Sequence, residues 1–140
     1  MSYQRRALQR VEEQEGITLM TDQKIIQYYV LYCIYYSTNG ESWNVRDGWT
    51  QNDLDPCKGW KGIQCDTDGK ILNINLFANG LSGIFAPEVT LLASDGVYST
   101  LAGNLQSLDL YHNELLSNDG DNSWITNLGS NLSKYHCMHP

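Results

Sequence analysis

The chain has 140 residues, of which 41% are hydrophobic and 18% charged, so it is long and apolar enough to bury one core. Its formal net charge is −7, which argues against nucleic acid or an anionic membrane as the main partner. The sequence has no phosphate-binding loop, no HExxH zinc motif and no GxSxG nucleophile motif. The acidic turns at 66–69 and 119–123 complete no calcium loop. We therefore expect no enzyme activity, no cofactor and no metal site.

The first twenty residues are interpreted as a leader or linker, covering 1–20. They lack the apolar stretch that a secretory signal peptide needs, so we expect no signal peptide within this chain.

A dense apolar run over residues 22–36, free of Gly and Pro, predicts a single buried helix. Thr21 is a suitable N-cap, Asp22 favours the positive end of the helix dipole, and the STNG segment 37–40 ends the helix. The apolar part, 28–36, is too short to cross a bilayer. Its aromatic residues would also suit a membrane surface, but core packing is the favoured interpretation.

An irregular, glycine-rich stretch follows and contains Cys57 and Cys65. Cysteines eight positions apart, with no helix or long strand between them, can reach disulfide distance. A zinc site is the weaker alternative, because CxxC spacing is absent and the three histidines lie far downstream.

The segments 71–83 and 105–115 repeat one pattern, LxxLxLxxNxL. Each copy predicts a short strand whose apolar residues point inward, followed by a turn. Asn79 and Asn113 are expected to be structural, satisfying buried backbone groups inside that turn. The apolar positions are Ile71, Ile74, Leu76 and Leu81 in the first copy and Leu105, Leu108, Leu110 and Leu115 in the second.

A third copy begins at Leu132 but is imperfect and truncated, with Pro140 where the asparagine is expected. The first two copies start 34 residues apart, which exceeds the roughly 20–29 residues of a typical unit. We expect the excess, in 89–104, to bulge from the convex side, and 117–126 to form a similar loop.

The block 22–65, with a helix ending in YYSTNG followed by WN, GW, PC and WKGIQCD, resembles the N-terminal cap of plant-type leucine-rich-repeat proteins. The segment 68–89 is similar to the family's repeat, which ends in LSGxIPxEL, although Phe85 and Ala86 replace the expected Ile and Pro. The long insertions and the early QRRALQR run resemble the diatom-type versions most. The resemblance covers residues 22–140.

This resemblance implies an α/β fold, a right-handed leucine-rich-repeat solenoid with a helical N-terminal cap in 21–70, and two full repeats and a partial third in 71–140. The family's cap holds a disulfide, which implies that Cys57 pairs with Cys65. Cys33 and Cys137 would then be buried thiols.

The resemblance also implies recognition of a protein or peptide ligand through the concave strand face, as in a receptor ectodomain or an inhibitor of wall-degrading enzymes. A structural role in a cell wall or matrix is the alternative. In this interpretation Phe77, Tyr111 and Met138 align as an apolar lane suited to interfaces. The outward positions expected to bind are Asn73, Asn75 and Phe77; Ser107, Asp109 and Tyr111; and Lys134, His136 and Met138.

A disulfide and the glycosylation sequon at Asn131 fit an extracellular or membrane-anchored protein with extracellular repeats. Because no signal peptide is present, we expect the chain to be a fragment of a longer protein. Its last copy would leave an apolar edge that favours self-association. The residues of that edge are Leu128, Leu132, Tyr135 and Cys137.

Overall fold

A computed structural model of the chain describes residues 1–93 and 101–116, and the backbone of 134–136. The elements are helices α1 (Tyr3–Glu12) and α2 (Asp22–Ser37), strands β1 (Ile63–Cys65), β2 (Ile71–Asn75), β3 (Ser82–Gly83), β4 (Gly103–Asp109), β5 (Glu114–Leu115) and β6 (Lys134–His136), and short 3₁₀ turns at Ile17–Leu19, Gly40–Ser42, Pro56–Lys58 and Pro87–Leu92. None of the helices in these ranges is long and apolar enough to cross a membrane.

The strands form a mixed sheet in the order β1-β2-β4-β6 and a separate pair, β3-β5. Strand β1 runs antiparallel to β2, whereas β2-β4, β4-β6 and β3-β5 are parallel. The two copies of the repeat thus lie side by side, with Ile74 opposite Leu108. Both side chains are fully buried, as the period-two pattern requires.

The prediction of a leucine-rich-repeat solenoid, which the resemblance implied, is wrong. The described residues form helices packed on a small mixed sheet, with an antiparallel strand at its edge. A solenoid repeat buries its apolar face against neighbouring repeats, and about three or more repeats are needed for stability. Here the side chains of α2 share one continuous core with those of β2 and β4.

Helix α2 follows the sequence prediction closely and extends one residue further, to Ser37. The Thr21 hydroxyl caps it by accepting from the Lys24 backbone N–H at 3.3 Å. The run 30–35 is buried throughout, because this helix lies in the core with apolar contacts on nearly every side.

Helix α1 lies within the first twenty residues and packs on α2. Ser2 caps it by accepting from the Arg5 N–H at 3.1 Å. Ala7 and Val11, one helical turn apart, are its buried residues. Apolar residues four positions apart are the sequence signal for this contact.

An aromatic cluster anchors the irregular segment 38–62 on α2. The ring centroids of Trp43 and Trp49 are 4.8 Å apart, those of Trp49 and Trp60 are 5.0 Å apart, and Tyr32 of α2 lies 5.2 Å from Trp60. Such edge and tilted contacts stabilise beyond the area they bury. The cluster therefore fixes where the chain enters β1.

Two local constraints then fix β1, one to the Pro56–Lys58 turn and one to β2. A disulfide joins Cys57 to Cys65, with 5.5 Å between their Cα atoms, which confirms the predicted pair. Gly62 has φ of 88°, and a Cβ there would lie 2.2 Å from the Asn75 carbonyl oxygen. Only glycine permits this approach, in which the Asn75 N–H donates to the Gly62 carbonyl at 2.8 Å.

Candidate functional site: the polar face of the mixed sheet

The outward side of β1, β2 and β4 carries five polar residues, here called the polar face: Gln64, Asn73, Asn75, Ser107 and Asp109. The parallel register sets Asn73 beside Ser107 and Asn75 beside Asp109. Strand alternation sends the residues between them into the core. The polar face is therefore a continuous array built on three rigid strands.

Two of these side chains are held by their own backbone. Asn75 Oδ1 accepts from the Phe77 N–H at 3.1 Å, and Asp109 Oδ1 accepts from the Tyr111 N–H at 3.0 Å. The same hydrogen bond thus forms at equivalent positions of the two repeat copies. Because each bond occupies one side of the group, the other side of each points away from the backbone.

The side chains of Asn73 and Gln64 are also fixed, since the Asn73 amide donates to Gln64 Oε1 across the β1-β2 pair. This interaction links the antiparallel edge strand to the first repeat copy. The polar face is consequently preorganised before any ligand arrives, which lowers the entropic cost of binding.

Aromatic rings border the polar face where β2 and β4 end. Phe77 is 50% exposed and Tyr111 39% exposed. His112 contacts both rings edge-on, with centroids 5.1 Å from Phe77 and 4.6 Å from Tyr111. The Ala78 N–H donates to the Tyr111 carbonyl at 2.9 Å, so the two chain segments stay in register beyond the strands.

His112 has φ of 57° and Ala78, at the equivalent position of the first copy, has φ of 48°. Residues with this left-handed conformation are uncommon outside glycine. The turn adopts it because the next residue, Asn79 or Asn113, must point inward.

Two adjoining grooves cross the polar face. One of about 550 Å³ lies over Asn75, Phe77 and Asp109, with Lys61 and Val45 at its border. The other, of about 600 Å³, lies over Gln64, Asn73 and Ser107 and shares Asn75 and Asp109 with the first. Volumes of this size match small-ligand clefts.

Asn113 supports the turn from inside. Its Oδ1 accepts from the backbone N–H of Asn79 at 3.0 Å and of Leu81 at 2.9 Å. Its Nδ2 donates to the carbonyls of Leu76 at 2.7 Å and Leu110 at 3.0 Å. The side chain is 4% exposed, so it satisfies backbone groups that solvent cannot reach.

Asn79, the equivalent residue of the first repeat copy, also bonds backbone groups with its side chain, but these groups belong to the irregular segment 38–62. Its Oδ1 accepts from the Val45 N–H at 2.7 Å and its Nδ2 donates to the Val45 carbonyl at 2.8 Å. The two asparagines therefore connect β4, β2 and the Trp-rich segment in one chain of hydrogen bonds.

The structure brings together six of the nine predicted outward positions, namely Asn73, Asn75, Phe77, Ser107, Asp109 and Tyr111. The backbones of Lys134 and His136 pair with Ser107 and Asp109, and nothing further is described of them. Met138, the sequon at Asn131, Cys137, the loop 117–126 and the remaining edge residues Leu128, Leu132 and Tyr135 lie outside the part whose side chains are described.

Three site residues were not anticipated from sequence: Lys61, Gln64 and His112. Gln64 and Lys61 come from the edge strand and its approach, where no repeat pattern exists. His112 carried a usable signal, since it directly precedes the inward Asn113 in the second repeat copy.

The free thiol among the described residues is enclosed. Cys33 is a fully buried free thiol, and burial raises its pKa to about 12, so it stays protonated and unreactive at neutral pH. Within residues 1–93 and 101–116, no three His, Cys, Asp or Glu side chains cluster as a metal site would require. The chemistry available on the polar face is hydrogen bonding and ring contact.

Comparison with known proteins gives one partial match. The chain is 34% identical over 61 residues to LRR receptor kinase SERK2 from Oryza sativa subsp. japonica. The aligned segment is 44% of this chain and 10% of that protein, so the chain spans about a tenth of the relative it matches. No protein-family profile matches the sequence. No solved structure matches it either. The match gives weak support for a leucine-rich-repeat relationship, and together with the disulfide it fits an extracellular region.

Proposed function

We propose that this chain is a recognition module of a larger, extracellular, receptor-like protein, and that it binds a protein or peptide ligand through the polar face and the adjoining Phe77. The observation that carries the proposal is the preorganised pair of Asn75 and Asp109 beside a half-exposed aromatic ring.

Three features support this function. The polar side chains stand on strands rather than on loops, so they lie in fixed positions. Phe77 offers apolar contact at the end of the array, and exposed aromatic residues are favoured anchors at interfaces. The partial match to a receptor kinase agrees with a binding module.

The test is selection from a library of random heptapeptides displayed on phage, using the protein secreted with its disulfide intact. Enriched peptides are synthesised and their affinities measured by isothermal titration calorimetry. Phe77→Ala is expected to weaken binding roughly tenfold, because about 1.4 kcal/mol of apolar contact is lost.

Ile84→Ala is the matched control, since Ile84 is similarly exposed at 43% but lies beyond β3, away from the polar face. Its affinity should equal that of the unmodified protein. Equal affinities for Phe77→Ala and Ile84→Ala, or no enrichment at all, would contradict the proposed function.

A further inference from the structure

We propose that the Asn75–Asp109 pair binds the primary carboxamide of an Asn or Gln side chain in the ligand, and that an apolar ligand residue two positions away packs on Phe77. This inference rests on the proposed function and names the chemistry that the polar face recognises.

The pair presents one donor beside one acceptor. Asn75 Oδ1 is occupied by the Phe77 N–H, which turns the Nδ2 donor outward. Asp109 Oδ1 is occupied by the Tyr111 N–H, which leaves Oδ2 as an acceptor. A carboxamide carries the complementary set, a carbonyl for the Asn75 donor and an NH₂ for the Asp109 acceptor.

The spacing suits this group. Asn75 and Asp109 are direct neighbours on parallel strands, which lie about 4.8 Å apart. A planar carboxamide accepts at its oxygen and donates at its nitrogen, and with hydrogen bonds of ordinary length its two partners can lie anywhere from roughly 2 to 7 Å apart. One carboxamide can therefore reach both strands at once.

Charge also favours a neutral group. The groove over the pair contains one basic side chain, Lys61, and one acidic side chain, Asp109, so its charges balance. A ligand ammonium would satisfy Asp109 but face the Asn75 donor, whereas a carboxylate would satisfy Asn75 but be repelled by Asp109. The net charge of −7 adds to the repulsion of acidic ligands.

Phe77 sets the second requirement. It lies two residues after Asn75, in the turn that follows β2, and both residues line the same groove. Alternate side chains of an extended peptide point to the same side, about 6.6 Å apart. An extended ligand can thus place a carboxamide on the pair and an apolar side chain on Phe77.

Two isosteric variants test the pairing, because Asn and Asp oxygens both accept the backbone hydrogen bond that orients residues 75 and 109. Asn75→Asp leaves two acceptors on the pair, and Asp109→Asn leaves two donors. Selection from the same heptapeptide library should enrich Asn and Gln on the unmodified protein, Lys and Arg on Asn75→Asp, and Asp and Glu on Asp109→Asn.

Asp68→Asn is the matched control, since Asp68 is exposed in the turn before β2 and its carboxylate lies off the polar face. It should keep the unmodified preference for Asn and Gln. On the unmodified protein, replacing the selected Gln of a peptide by Glu or by Lys should weaken binding at least roughly tenfold. On Asp109→Asn the Glu peptide should bind more tightly than the Gln peptide.

The outcomes separate the two proposals. Peptides that depend on Phe77 but show no preference for Asn or Gln, and no change of preference in the variants, would overturn the carboxamide assignment and leave the proposed function standing. No enrichment on any of the proteins would overturn the proposed function, and the assignment with it. A gained preference for a new residue type cannot result from misfolding, and the peptide replacements decide the question if either variant fails to fold.

Discussion

Replacing Asn113 by Leu should destabilise the fold severely, although the substitution changes no residue of a strand. The substitution removes hydrogen bonds from four buried backbone groups, the N–H groups of Asn79 and Leu81 and the carbonyls of Leu76 and Leu110. Each unsatisfied group costs about 1–3 kcal/mol. Burial of the leucine side chain offsets about 2 kcal/mol, so the free energy of unfolding should fall by roughly 6 kcal/mol.

That loss is a large part of the roughly 5–15 kcal/mol by which a domain of this size is usually stable. The assay is urea denaturation followed by the fluorescence of buried Trp49 and Trp60. Asn73→Leu is the control, because Asn73 lies on the outward side of β2 and its replacement should change stability by under about 0.5 kcal/mol. Indistinguishable urea midpoints for the two variants would refute the role assigned to Asn113.

Two further predictions concern the segment that leads into the sheet and the core of α2. Replacing Cys57 and Cys65 together by Ser should lower the free energy of unfolding by about 2–3 kcal/mol, because the short disulfide loop no longer restricts the unfolded chain. Thermal unfolding measures the loss, and an unchanged melting temperature would contradict the prediction. Burial raises the pKa of Tyr28 and of Tyr32 to about 12, whereas an unfolded tyrosine titrates near 10. The unfolded state therefore releases these protons first, so their contribution to stability is complete below pH 10 and is lost as pH rises toward 12. Urea midpoints across this range should fall less steeply in Tyr32→Phe than in the unmodified protein, and equal slopes would show that Tyr32 does not contribute.

Sequence patterns predicted the structure reliably where the stabilising interactions join residues that are close together in the chain. Helix α2 begins after Thr21 and ends near Thr38 because a cap, an apolar run and a turn are all encoded within a few residues. The disulfide was also predicted, because the short spacing of Cys57 and Cys65 permits it and the resemblance to the leucine-rich-repeat cap implies it. Helix α1 was missed because its apolar signal is only Ala7 and Val11, which gain meaning once α2 lies beside them.

The predicted fold class was wrong for a different reason. The repeat in 71–83 and 105–115 specifies two parallel strands and two inward asparagines, but not what covers those strands. In the structure, α2 and the aromatic cluster provide that cover, and the antiparallel β1 closes one edge. Such contacts join residues far apart in the chain, which a local pattern does not encode.

The sequence by itself determined the buried α2 and the two strands with their asparagine turns, because caps and strand alternation act within a few residues. It also determined which residues of β2 and β4 face outward. Only the tertiary structure decided that β1 and its approach add Gln64 and Lys61 to the site, through the close approach at Gly62. It likewise decided the donor and acceptor pattern of Asn75 and Asp109, because side-chain orientation depends on backbone geometry beyond each strand end.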